Sequence, residues 1–524
     1  MVFSSAIFLY VFFPAVFLLY RIVPGIRAKN RLLVVTSLVF YSFGQPQYIV
    51  LLLFSVCLNY AAGRLLCSGP FLRCGRIVMA GAIVLNIGIL AVFKYLDFAL
   101  ENINALFQSS ISLPGIALPI GISFYTFQGL SYVIDVYRDR SMASRSFTKL
   151  LLYISFFPQL IAGPIVKYHD VAQMIDNRRT SPELTANGLR RFIIGLSKKL
   201  LIANAAGAVA DRVFALDAGS LDMRIAWLGA VCYTLQIYFD FSGYSDMAIG
   251  MGRIFGFRFL ENFNYPYVST SIQEFWRRWH ISLSSWFRDY LYIPLGGSYC
   301  SRTRANVNRL IVFFTTGLWH GANWTFVLWG LWHGMFLIFE NSGIIPVDKL
   351  RGSRAGRAAG HIYTLLVVVL GFTLFRADTL SDAGTMFAAM FGGCDFTPEL
   401  SQLLHEILTS SNVFWIAAGI ILSVDWLPRI RRFFGIYDDR MIDDGPGVVR
   451  SMQDGTLQEC SDGEFARAGA ENDAETAAEG PEKVHSGVGG ALSAMSYAAV
   501  FLLLLYCMLD LSQSGFNPFI YFQF

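Results

Sequence analysis

Charge is what this chain has least of. Only 15% of its 524 residues are Asp, Glu, Lys or Arg, where a soluble domain carries roughly 25%. With 55% hydrophobic residues and a mean hydropathy of +0.49, that scarcity excludes an ordinary soluble globular chain. Paired cysteine is missing as well. The eight Cys (57, 67, 74, 232, 300, 394, 460 and 507) are scattered, mostly through apolar segments, without a C-x-x-C pair. They read as small buried hydrophobes, and no Cys/His spacing supports a metal site. Residues 1–20 open apolar, with no basic n-region and no small-residue cleavage site after them. We therefore expect a first span there and no cleavable signal peptide.

What the chain does have is long apolar runs and many aromatics: 46 Phe, 24 Tyr and 10 Trp. Span candidates fall at 4–20, 31–43, 48–66, 76–94, 116–136, 150–167, 191–214, 225–251, 281–296, 309–319, 322–340, 360–376, 411–427 and 491–511. The class is an all-α polytopic membrane protein. Basic clusters follow the first and third spans, recur at 138–145, 178–191, 277–309 and 349–357, and end at 429–432. The positive-inside bias makes these the cytoplasmic side, while the acidic loop 377–410 reads as external and both termini fall outside.

The net charge of +4 hides an asymmetry. Residues 437–487 carry 13 acidic and 4 basic residues, which leaves +13 on the rest of the chain. That excess belongs to a membrane body and is no nucleic-acid signal. Three regions are expected: a membrane core over 1–436, an acidic disordered cytoplasmic linker over 437–490, and a last span with an external aromatic tail over 491–524.

Residues 271–280, Ser-Ile-Gln-Glu-Phe-Trp-Arg-Arg-Trp-His, mix charge and aromatics at helical spacing and predict an interfacial or re-entrant helix. The segment Trp319-His320-Gly321-Ala322-Asn323-Trp324 sets an imidazole and an amide inside an aromatic run. His320 lies 11 residues past Arg309, about 17 Å along a helix, and so near mid-membrane. Gly317 and Gly321 flank it, and broken helices at that depth are tolerated where they line a cavity. Ionisable groups at bilayer depth mark functional sites.

His320 is suited to act as general base, taking a proton from an acceptor hydroxyl as that oxygen attacks an acyl carbonyl. The alternative is an interhelical hydrogen-bonding histidine. His280 is placed to orient or assist it, and Trp319 to support it. Arg277 and Arg278 match the phosphates of a coenzyme, or serve as plain positive-inside anchors. Asn323 would donate to a developing oxyanion, or act structurally. His333 is expected to pack. Asp240 and Asp246, in an otherwise apolar helix, are read as bonding to neighbouring helices rather than reacting.

The residues also resemble a known family. Leu118-Pro119-Ile120-Gly121 through Gln128, Phe157-Pro158-Gln159-Leu160-Ile161-Ala162-Gly163-Pro164-Ile165, Phe239-Asp240-Phe241-Ser242-Gly243-Tyr244-Ser245-Asp246, Phe275-Trp276-Arg277-Arg278-Trp279-His280 and Leu318-Trp319-His320-Gly321 are similar to motifs of the membrane-bound O-acyltransferases. The likeness is to their bacterial alginate O-acetylation branch and covers nearly the whole chain. It implies a ring of tilted helices around a funnel, with His320 as the family histidine and His280 as the second polar residue of the site. It further implies an acyl donor on the cytoplasmic side and an acceptor outside. The tail, Gly515 to Phe524, resembles the C-terminal motif of a small teichoic-acid D-alanylation partner. By that likeness Tyr521 would be an acyl relay.

The expected function is transfer of acetyl from acetyl-CoA, a substrate rather than a bound cofactor, toward hydroxyls of a secreted or cell-surface polysaccharide. The setting is the bacterial inner membrane, with a periplasmic acetyltransferase partner. Rival readings are D-alanyl or other acyl transfer from a carrier protein, a transporter or flippase with a His320 proton relay, and a scaffold for an export complex. No internal repeat favours the transporter.

Overall fold

The computed structural model describes residues 1–393, 396–426, 487–513 and 519. These residues form helices, with no strand among them. Residues 1–424 together with the chain from 503 onward make one compact body, and 425–502 make a second. The expected linker lies outside the described residues as far as 486; its last four residues open the final helix.

In chain order the helices are α1 (Phe13–Ile22), α2 (Ile26–Ser42), α3 (Ile49–Leu66), α4 (Gly75–Phe107), α5 (Ile122–Arg138), α6 (Phe147–Ser155), α7 (Phe157–Leu160), α8 (Tyr168–Asn177), α9 (Pro182–Ser197), α10 (Asn204–Phe214) and α11 (Met223–Ile254). They continue as α12 (Ile272–Arg278), α13 (Ile281–Phe287), α14 (Arg302–His320), α15 (Trp324–Ser342), α16 (Val347–Arg351), α17 (Arg354–Arg376), α18 (Leu380–Gly392), α19 (Pro398–Ile407), α20 (Ser410–Leu422) and α21 (Gly487–Gln513).

Among the described residues, five helical segments are long and apolar enough to cross a bilayer: Pro46–Leu66, Gly69–Phe107, Pro182–Phe214, Arg354–Arg376 and Met495–Ser512. The pair α19 and α20, bent by 73°, makes a sixth if the two are taken together as one broken span. The other expected spans are helical but short, broken or enclosed. The first is the short apolar helix Phe8–Ile22. The stretch 225–251 lies in α11, which is buried nearly all round, with its two carboxylates paired by cations of the preceding helical segment.

α11 packs along α9, α10, α17 and α18. Its fit to α9 is set by glycine. A Cβ on Gly195 would sit 2.5 Å from the Gly243 carbonyl oxygen, and one on Gly243 2.7 Å from that of Gly195. Seven residues on, Gly188 and Gly250 repeat the arrangement at 2.6 and 2.5 Å. The two helices therefore run antiparallel, backbone against backbone, as small residues permit in membrane bundles. Beyond α9 the chain widens into a π-helical turn, Lys198–Ala203. Adjacent Lys198 and Lys199 then both meet α11, pairing with Asp246 at 2.6 Å and Asp240 at 2.5 Å. Arg191 joins Asp246 at 2.8 Å and also binds Glu261. Both intramembrane acids of α11 are thus engaged in ion pairs.

Candidate active site

α14 ends at His320, where Gly321 turns to an extended conformation and Asn323 caps α15. Glycines bring these two helices together: a Cβ on Gly317 would strike the Phe326 carbonyl, and one on Gly330 the Phe313 carbonyl. The close fit places Trp329 beside His320, with ring centroids 5.1 Å apart. Trp319 and Phe375 stand at 5.0 and 5.2 Å from the same imidazole. His320 keeps 8% of its surface open, and its Nδ1 has no hydrogen-bond partner among the described residues.

A helix C-terminus leaves carbonyls without intrahelical donors. Three of them are taken here by α4. Lys94 Nζ donates to Trp319 O at 2.6 Å and His320 O at 3.0 Å, and Tyr95 Oη donates to Leu318 O at 2.6 Å. The cation also complements the negative end of the α14 dipole.

His280 sits in the break between α12 and α13 with φ 44°, ψ 54°, a left-handed conformation that is unusual outside glycine. Its ring is fully enclosed, 4.7 Å from that of Phe241 and 6.0 Å from Trp319. Trp319 thus lies against both imidazoles. Asn262 fixes the tautomer of His280. Asn262 Oδ1 accepts from Ser282 N at 3.2 Å and Ser282 Oγ at 2.8 Å, and lies 3.1 Å from His280 Nδ1. Asn262 Nδ2 meanwhile donates to Ser245 Oγ at 3.1 Å. A carbonyl oxygen only accepts, so His280 Nδ1 carries the proton and Nε2 is a bare lone pair. Nε2 has no partner among the described residues.

Two cavities flank this aromatic wall. The first, about 300 Å³, lies along the Arg309–Thr316 part of α14 and is lined by Trp276, Arg277, Phe287, Arg288, Arg309 and Thr316. Trp276 packs 5.8 Å from Trp329, which in turn touches His320. The second, about 580 Å³, is lined by Gln45, Lys94, Ile120, Ser123, Phe124 and Ile161 among others, at the His320 end of the same helix. Phe124 lies edge-on to Trp319 at 5.5 Å.

The structure therefore gathers His280, Trp319 and His320. Arg277 lines the first cavity without an ion pair to the described residues. Arg278 is committed to Glu274 at 3.0 Å and to Asn264 O at 3.1 Å. Asn323 donates to Asp378 O at 2.8 Å and accepts from Thr325 N at 3.1 Å. His333 is sealed among Phe275, Trp276 and Trp329. Tyr521 lies outside the described residues. Nearby Phe519 is buried, its ring 4.9 Å from Tyr244 and 4.8 Å from Lys199 Nζ, so at that point the tail is tied into the helix body. No cluster of His, Cys, Asp or Glu among the described residues would hold a metal ion. Lys94 and Asn262 are the site's unforeseen members.

Comparison with known proteins gives a consistent result. Residues 138–376, which include both histidines, match the family described as MBOAT, membrane-bound O-acyltransferase. The chain is 38% identical to a "Probable alginate O-acetylase" of Azotobacter vinelandii, with all of both chains covered. It is 35% identical to a "Peptidoglycan O-acetyltransferase" of Helicobacter pylori, over 78% of this chain and 84% of the relative. It is 30% identical to a "Teichoic acid D-alanyltransferase" of Bacillus subtilis, over 38% of this chain and 53% of the relative.

Proposed function

Starting from the fact that this chain belongs to the membrane-bound O-acyltransferase family and is a multi-pass membrane O-acyltransferase, we propose that it carries acetyl from acetyl-CoA toward hydroxyls of an alginate-like exopolysaccharide. The observation that carries this reading is the placement of two imidazoles against one indole, with a cavity edged by arginines along the middle of α14 and a second cavity near its His320 end.

In this reading the arginine-edged cavity faces the cytoplasm, as the positive-inside bias indicates. Arg277, Arg288 and Arg309 receive the phosphates of the coenzyme. Arg278, held by Glu274, helps less directly. His320 removes the acceptor's hydroxyl proton as that oxygen attacks the thioester carbonyl. The new C–O bond forms, the C–S bond breaks, and the proton leaves with the coenzyme thiol. His280, with Nε2 bare, assists, while Trp319 braces both rings. Asn323 would stabilise an oxyanion only by releasing Asp378 O. Tyr521 serves as an acyl relay to a periplasmic acetyltransferase, which delivers the group to the polymer. The setting is the bacterial inner membrane. D-alanyl transfer from a carrier protein is the second reading, favoured by the likeness to the Bacillus subtilis relative.

The test uses sealed vesicles of both orientations and radiolabelled acetyl-CoA. Label on protein or polymer is expected only where the donor reaches the basic face, and is expected to vanish in His320→Ala. Loss of protein-bound label in Tyr521→Phe supports the relay. Equal labelling from either side, or in His320→Ala, contradicts the proposal.

A further inference from the structure

The rim of the arginine-edged cavity carries a loop with no part yet in the reaction. Between the π-helical turn Arg288–Tyr292 and α14, the chain makes a two-glycine turn, with Gly296 at φ 108° and Gly297 at φ 55°. Both angles lie in the left-handed region that favours glycine. The turn is braced on three sides. Asn308 is fully buried, and its Nδ2 donates to Leu295 O at 3.2 Å and Gly297 O at 3.4 Å. The hydroxyls of Tyr292 and Ser298, two residues that line the cavity, stand 3.0 Å apart. Arg302 donates at 2.8 Å to the carbonyl of Asn341, another lining residue.

This braced turn holds out Tyr299, the neighbour of Ser298. Tyr299 is 90% exposed, whereas no other large apolar or aromatic side chain among the described residues exceeds 76%. The first turn of α14 follows at once. It carries Arg302 and Arg304 and no acid, against the preference set by the helix dipole. Arg277, Arg288 and Arg309 stand on the same cavity. An open aromatic face beside clustered guanidinium groups suits a nucleotide, whose base stacks while its phosphates pair.

We propose that this turn is the adenosine subsite of the acyl donor: Tyr299 stacks on the adenine ring, and Arg302 and Arg304 meet the phosphate on its ribose. The inference rests on the acyl-transfer reading and deepens it, because it selects the form of the donor. Free coenzyme ends in a phosphorylated adenosine. A phosphopantetheine arm on a carrier protein has none. The subsite therefore favours acetyl-CoA over a carrier-bound acyl group.

The test compares two labelled donors on full-length protein in nanodiscs: acetyl-CoA, and acetyl-phosphopantetheine, which keeps the thioester and one phosphate but lacks adenosine. Wild type should reach half-maximal labelling with acetyl-CoA at a concentration at least about tenfold lower. An exposed stack stands at the low end of base–aromatic stacking, about fivefold. Tyr299→Ala should therefore raise the acetyl-CoA value about fivefold, leave the acetyl-phosphopantetheine value unmoved and keep the maximal rate. Tyr299→Trp should hold the wild-type preference. Folding is not at stake, since the side chain is exposed. A tyrosine that only anchors the loop at the membrane surface would shift both donors together or neither, and either result overturns the proposal. So does a wild type that uses both donors equally. Adenosine 3′,5′-bisphosphate, which has no thioester, supplies a readout without turnover. It should bind wild type about fivefold more tightly than Tyr299→Ala, and equal binding sinks the subsite even where labelling is intact. Tyr299-dependent binding without His320-dependent labelling sinks the transfer reading and leaves the nucleotide site standing.

Discussion

Asn262 is the most instructive residue to change, because it touches no substrate in this account yet sets the state of a histidine that does. Replacing it with Leu removes the acceptor for three donors: His280 Nδ1, Ser282 N and Ser282 Oγ. The hydroxyl can rotate, but the other two donors cannot. Asn262 and His280 are 0% and 1% exposed, so water has no easy entry to replace the lost acceptor. A buried donor left without a partner costs roughly 1–3 kcal/mol, so the folded state should lose about 2–6 kcal/mol. Catalysis suffers separately. Losing the shorter of the two contacts at Nδ1, with Ser282 Oγ left at 3.4 Å, removes about 1–1.5 kcal/mol of orientation, or up to about tenfold in rate. Asn262→Asp is the informative partner. It keeps an acceptor for all three donors, so the Nδ1–H tautomer should persist, while the lost donor to Ser245 Oγ and the buried carboxylate lower stability separately. The assay is initial-rate acetyl transfer per folded molecule in nanodiscs, alongside thermal unfolding followed by tryptophan fluorescence. Wild-type rate and stability in Asn262→Leu would refute the idea that this amide sets the His280 tautomer.

Three further outcomes are expected. Gly243→Ala places a methyl group 2.7 Å from the Gly195 carbonyl oxygen and should destabilise the α9–α11 pair by about 1–3 kcal/mol, read as a lower unfolding temperature. Arg277→Gln should raise the KM for acetyl-CoA several-fold at unchanged kcat, whereas Arg278→Gln should mainly lower folded yield, since that side chain is held by Glu274; steady-state kinetics and yield separate the two. His169, at the start of α8, is bonded to Asp135 and then Asp170, and these partners push its pKa up to about 10. A pKa raised above the unfolded value stabilises fully below about pH 6.5 and loses that contribution as pH rises through about 10. The unfolding-temperature gap between wild type and His169→Gln should therefore be widest near pH 6 and close above pH 10.

The part of the site that is local in sequence was legible there. Gly317 and Gly321 around His320 announced a break at membrane depth, and α14 does end on that histidine. The segment read as an interfacial helix at 271–280 is more deeply embedded than expected: Ile272, Phe275 and Trp276 are buried, and Gln273 and Arg277 form its open face. What escaped depends on contacts between distant residues. Asn262 reaches His280 across 18 positions, and Lys94 reaches His320 across 226. Lys94 was hidden by a boundary: an expected span of 76–94 makes it a flanking cation, but the helix runs on to Phe107 and puts it inside. Likewise, the carboxylates of Asp240 and Asp246 read as polar in an apolar helix, while the cations that pair with them are brought alongside by the π-turn at Lys198–Ala203.

The central claim is that His320 performs the transfer, and His333 supplies the control. Both imidazoles are buried, both touch Trp329, and they lie on helices that pack together. Single-turnover acetyl transfer from labelled acetyl-CoA, normalised to folded protein, should fall by about 10²–10⁴ in His320→Ala. In His333→Ala it should stay within about tenfold, one 1.4 kcal/mol step. Transfer that survives in His320→Ala, or falls equally in both variants, would contradict the account.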